Sequence, residues 1–377
     1  VAQNKIAQEP GPHRYAFIDA LRGYAILMVI AVHTSQFFND LPPPVRLLAD
    51  QGARGVQLFF VASALTLCLS WQARGDGAAA FYMRRLFRIA PMFWLAIAYF
   101  VWHEGFGPQF YAPDGIGLRH VAMTALFVHG WLPDTITSVV PGGWSVADEV
   151  TFYAVFPLLM LFWKRVNLAG AVVFAIAVVV FFGEINDVAI NYGVRLPQPE
   201  RQLWFVLIWL WFPSQAGCFA VGMVLAKVAH RKLPLPAAKL LLALSIAAAI
   251  TLALYPPSKL QTPYGLAFAG LTLALMNYQP RWLVNSAIAW IGKVSFSAYL
   301  IHLAIIPFFP LLTPFAMPTL DYGVMMLIIT AATVAISSIT YLYIEKPMIR
   351  LGERLVEGSR APRSKQSAVM PASPIVG

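Results

Sequence analysis

The sequence predicts an all-α membrane protein, a polytopic helical bundle of about ten transmembrane helices plus one outward re-entrant or interfacial segment. Three observations predict it. Charged residues are 12% and apolar residues 59% of the 377, where soluble domains carry roughly a quarter charged residues. Apolar runs long enough to cross a hydrocarbon core as helix recur from Phe17 to Ile344. Lysine and arginine concentrate in alternate connections between those runs, the pattern that fixes membrane topology.

A polar lead, residues 1–16, precedes the first span. The spans then fall at about 17–38, 56–72, 87–103, 144–163, 168–183, 203–227, 239–255, 264–278, 290–312 and 323–344. The first run is too long for a signal-peptide core and is followed by a polar loop, so it reads as a retained helix. With the N-terminus in the cytoplasm, Arg84, Arg85 and Arg88, then Lys164 and Arg165, then Arg231 and Lys232 all fall on the inner side. The outer connections hold few cations, among them Arg119, Arg195 and Lys259. This places both termini in the cytoplasm of a multi-pass protein of the cell membrane, in contact with its lipid, and calls for an even number of spans. The formal charge of +10 is then a topology signal, and no nucleic acid is needed to explain it. The transmembrane domain covers 17–350. Residues 351–377 read as a disordered cytoplasmic tail, rich in Ser and Pro toward its end.

The connection 104–143 breaks the pattern. It holds Pro108, Pro113, Pro133 and Pro141, and its apolar middle, Leu118–Trp131, is short for a span. A full span there would invert every later loop, so an outward re-entrant or interfacial segment fits better. It reads either as a lid or acceptor-binding surface or as packing filler. Cys68 and Cys218 lie inside apolar spans without metal-ligand spacing.

Four polar clusters interrupt the apolar helices. Arg22 and His33 are eleven residues apart in the first span, on one face and roughly 16 Å apart along the axis. Ionisable groups at membrane depth default to a functional reading. Arg85 and Arg88 project to similar sides of the third helix. With Arg22 they form three guanidiniums suited to a polyphosphate arriving from the cytoplasm. The plain structural reading is a positive-inside signal, and Arg84 fits that better. Glu149, near the outer end of the fourth span, lies at a depth similar to His33 and can orient an imidazole or serve the helix N-terminus. Asp148 fits the helix-terminus reading. Ser295, Tyr299 and His302 form a polar stripe on the ninth span. Ser295 and Ser297 read as interhelical hydrogen-bonders, His302 as lining a cavity. Glu345, ending the last span, either pairs with the inner arginines or marks the interface. The histidines show no metal spacing, and the sequence has neither a nucleophile elbow nor a phosphate loop.

At these residues the chain resembles the membrane-bound acyltransferase 3 family, over about Arg14 to Arg350. Five ordered blocks carry the resemblance: Asp19-Ala20-Leu21-Arg22-Gly23 with His33, Gly55 to Ser63, Arg85 and Arg88 with Pro91, Trp144-Ser145 with Glu149 and Tyr153, and Ser295 to His302. The chain departs from the family pattern at Gln57, Ala64 and Phe296, which leaves Ser63 outside the residues carried over. The resemblance implies acyl transfer, most often of acetyl, from cytoplasmic acyl-CoA (acetyl-CoA) to a hydroxyl of an extracytoplasmic carbohydrate. Exopolysaccharide, O-antigen and lipo-oligosaccharide are such acceptors; a macrolide-type small molecule is the alternative. The donor is a substrate, and neither a resident cofactor nor a metal is implied. Arg22, Arg85 and Arg88 would then hold the donor phosphates, and Trp144 would contact substrate. His33 would act as general base or acyl-accepting nucleophile, Glu149 would orient it, and Tyr299 and His302 would donate to the oxyanion. Without an appended soluble domain, transfer would be direct or through a separate extracytoplasmic protein. A transporter or flippase is the competing class, and its signature of internal repeats is not found in the sequence.

Overall fold

The computed structural model describes residues 16–75, 77–256, 261–309 and 315–358. Among these the protein is helical, and no strand occurs beyond an isolated bridge between Gln109 and Ala112. The expected polar lead, but for its last residue, and the part of the expected tail beyond Gly358 lie outside the described residues.

Each expected span falls on a helix. The first is α1 (Ala16–Ser35). A short helix α2 (Pro43–Asp50) leads through a tight turn into α3 (Gly55–Arg74). Then come α4 (Ala78–Glu104), the short α5 (Leu118–Ala125), α6 (Trp144–Trp163) and α7 (Leu168–Gly193). The sixth expected span is split at Trp211 into α8 (Glu200–Leu210) and α9 (Phe212–Val228). The remainder are α10 (Leu235–Leu254), α11 (Thr262–Asn277), α12 (Ser286–Lys293), α13 (Ser295–Ile305), α14 (Pro318–Thr340) and α15 (Lys346–Gly358).

The all-α bundle of membrane-length helices is as expected. Among the described residues eight helices are long and apolar enough to cross a membrane. The expected span 290–312, whose residues 310–312 lie outside the described residues, is a pair, α12 and α13, bent by 75°, and makes nine if the pair is one broken span. Helix α11 has 16 residues, about 24 Å of rise against a hydrocarbon core of ~30 Å. Apolar composition in the sequence does not distinguish a full span from a shorter buried helix.

Helix α1 is the hub. It packs on α3, α12, α13 and α14. The approach to α12 is set by glycines: a Cβ at Gly23 would collide with the Ile288 carbonyl, and one at Gly292 with the Asp19 carbonyl. Small residues let helix backbones meet where lipid supplies no hydrophobic drive. This contact seats Arg22, one residue before Gly23, against the start of α13.

The 104–143 connection holds only the short α5, as expected, followed by a turn at His129–Trp131. Its last stretch is not lipid-facing: Thr135, Ile136 and Val140 are fully buried. Irregular backbone at membrane depth survives where protein covers it. The tail expected to be disordered from 351 is helical to Gly358, because Gly352 seats on the Phe87 ring of α4 and Val356 is buried.

Candidate active site

The helices leave a cavity of ≈ 270 Å³ whose lining includes Arg22, Ser63, Arg85, Arg88, Glu149 and Tyr299. The three expected guanidiniums therefore converge, from α1 and α4, on one space. Each is half-buried, so part of each side chain faces the opening. Arg85 sits 5.8 Å from the ring centroids of both Phe81 and Tyr153, and its Nε has no protein partner. Arg22 faces the charges of Arg88, Glu149, Asp19 and Glu345. Three carboxylates, those of Asp19, Glu149 and Glu345, thus oppose the three guanidiniums.

Of the two roles the sequence allows Glu345, the structure favours pairing on the arginine side. Glu345 is buried, accepts a hydrogen bond from Ser297 Oγ at 2.9 Å, and feels Arg88 and Arg22. It belongs to a π-helical turn, Tyr341–Glu345, where the widened helix rotates a side chain out of its regular register. Ser63, outside the residues carried over, donates to Glu149 Oε1 and lines the cavity.

The expected pairing of Glu149 with His33 is corrected. Glu149 is taken by Ser63 on the arginine side. The partner of His33 is His302: Nδ1 of His33 lies 2.9 Å from Nε2 of His302. Depth along a span is readable from topology, but the azimuth that selects a partner depends on helix rotation. The tautomers follow from the next bond. His302 Nδ1 lies 3.1 Å from the Ala298 carbonyl, which only accepts, so Nδ1 carries the hydrogen. His302 Nε2 is then the acceptor and His33 Nδ1–H the donor, which leaves the lone pair of His33 on Nε2. Both ring nitrogens of His302, expected to serve an oxyanion, are thus engaged, Nδ1 with the Ala298 carbonyl and Nε2 with His33.

Neither imidazole is part of the cavity lining. Tyr299 joins the two regions: it lines the cavity, and its ring centroid is 5.7 Å from that of His302. Its hydroxyl donates to the Gly142 carbonyl at 2.8 Å. Gly142 has φ +75°, and a Cβ there would meet the Tyr299 hydroxyl at 3.1 Å, so glycine is required on both counts. Trp144 packs edge-on against Phe60, 6.2 Å between centroids, and lies outside the lining. Asp148, read as serving a helix terminus, is buried instead with Oδ2 unpartnered, and α6 has no side-chain cap. Ser295 is fully buried at the cavity wall, its hydroxyl unpartnered.

No cluster of three or more His, Cys, Asp or Glu suited to a metal occurs among the described residues. The structure adds Ser63, Glu345 and the histidine pair to the site. His33, His302 and Glu345 were legible as polar residues in apolar helices but their partners were not, while Ser63 carried a signal in its helical spacing toward Thr66 and Ser70 on one face of α3.

Comparison with known proteins identifies the family. A family model described as an acyltransferase domain matches residues 15–342. Acyltransferase MdmB of Streptomyces mycarofaciens is 25% identical over 372 residues, covering 90% of this chain and 92% of that protein. Exopolysaccharide production protein ExoZ of Rhizobium meliloti is 33% identical over 107 residues, which is 28% of this chain and 33% of ExoZ. No solved structure matches. The matched region holds every residue named in the cavity lining, and the histidine pair with them, and ends before Glu345: the chain belongs to the acyltransferase 3 family.

Proposed function

We propose that the protein is an integral membrane O-acyltransferase that moves an acetyl group from cytoplasmic acetyl-CoA to a hydroxyl of an extracytoplasmic carbohydrate. The convergence of Arg22, Arg85 and Arg88 on one cavity carries this reading. Forked guanidiniums at the end of a membrane cavity suit a diphosphate, with charge-assisted bonds at partly desolvated depth. The donor's extended arm would run past Glu149 and Tyr299 toward the histidine pair. His33 Nε2 then takes the proton of the acceptor hydroxyl while its oxygen attacks the thioester carbonyl. The C–S bond breaks as the C–O ester forms, and the thiolate recovers the proton from His33. His302 holds the imidazole in the tautomer this step needs.

The carbohydrate acceptor is favoured by the stretch of 33% identity to an exopolysaccharide production protein. The charge pattern of the connections supports the cell membrane as location, with both termini cytoplasmic. The test uses the purified chain in lipid nanodiscs with acetyl-CoA and de-O-acetylated exopolysaccharide. Thiol release coupled to ester formation is expected, and His33→Ala should abolish it while the protein still inserts. Undiminished ester formation by that variant would overturn the role of His33.

A further inference from the structure

The cavity continues beyond the three arginines along α3. Ser63, Thr66, Ser70 and Arg74 are spaced by three, four and four residues and all line it. They form one polar stripe of roughly 16 Å, from the Glu149 contact to the end of the helix. A smaller cavity adjoins, sharing Ser70, Arg74 and Arg85 and adding Arg84. Arg74 ends the stripe on the exposed rim, with its Nη2 3.5 Å from Glu353 Oε1 of α15. Both side chains are solvent-exposed, at 45% and 41%. An ion pair that open is weak and exchanges readily with a better anion. Arg84 lies in the same electrostatic group as Arg74 and Glu353.

The charge balance shows why the rim matters. Around Arg22, Arg85 and Arg88 lie the carboxylates of Asp19, Glu149 and Glu345 and the ammonium of Lys293, a surplus of one positive charge. A CoA-type donor carries a diphosphate and, at its nucleotide end, a separate phosphomonoester of about −1.5 to −2. The interior arginines have too little surplus for both. The nucleotide end trails the thioester, so its phosphomonoester would sit nearest the rim. We infer that Arg74, held in reserve by Glu353, is the subsite for the donor's terminal 3′-phosphomonoester. This deepens the acyl-CoA reading above and rests on it. Binding would exchange the Arg74–Glu353 pair for an Arg74–phosphate pair and free the α15 carboxylate.

The experiment measures the affinity of the full chain in nanodiscs for CoA and for 3′-dephospho-CoA by titration calorimetry. The wild type should bind CoA roughly tenfold tighter, the scale of one charge-assisted hydrogen bond. Arg74→Gln should bring the two affinities within about twofold, by weakening CoA alone. Glu353→Gln, which removes the competitor, should widen the ratio. Equal binding of the two ligands by the wild type, or a ratio unchanged by Arg74→Gln, would overturn the subsite while leaving the donor reading intact. Failure of the wild type to bind either ligand would overturn both.

Discussion

At the scale of single residues, the direction of the His302–Ala298 bond settles the chemistry available to His33. A carbonyl accepts only, so His302 must donate from Nδ1 and accept on Nε2. The consequence is testable. His302→Leu removes the side-chain acceptor of the His33 Nδ1–H, at about 0.5–1.5 kcal/mol, and leaves only the backbone of Val29 to hold the ring. That loss should lower kcat by up to about tenfold and leave donor affinity unchanged. His302→Gln, whose amide oxygen can accept the same hydrogen, should recover part of the rate. A matching fall in donor affinity would show that the pair acts on the fold instead.

At the scale of elements, the α1–α12 contact positions the arginine end of the site. Its closeness rests on glycine at 23 and 292, each facing a backbone carbonyl that cannot rotate away. Gly292→Ala should lower the thermal midpoint in detergent, with an overpacking cost of about 1–3 kcal/mol or more. Gly323→Ala in α14 is the control, since nothing lies within 4 Å of the added Cβ. There, removing glycine from a helix interior should hold or raise the midpoint. Equal losses at both positions would contradict the close-approach reading. The π-helical turn at the end of α14 shows the same dependence on geometry, since it carries Glu345 to Ser297.

At the scale of the whole molecule, the arginine cavity and the histidine pair are separate places joined by Tyr299. Lys164 and Asp114 are both exposed and lie in successive connections either side of α6. Cysteines substituted there should react with a membrane-impermeant maleimide from opposite faces, Lys164→Cys only after the inner face is opened. Cys68 and Cys218 are fully buried and should contribute little background. Labelling of both from the outside would reject the proposed orientation.

The sequence by itself determined the class, the helices and the residues worth watching. Span-length apolar runs admit no other fold class, and a three-to-four-residue period places Arg85 with Arg88, and Tyr299 with His302, along their helices. It also singled out the three arginines that line one cavity. Only the tertiary structure decided who faces whom. Helix rotation gave Glu149 to Ser63 and His33 to His302, a bend of 75° turned one expected span into two helices, and a π turn brought Glu345 inward. The reason is physical. Hydropathy and periodicity act within one helix, whereas partner choice depends on azimuth and crossing geometry between helices, which side-chain packing alone sets.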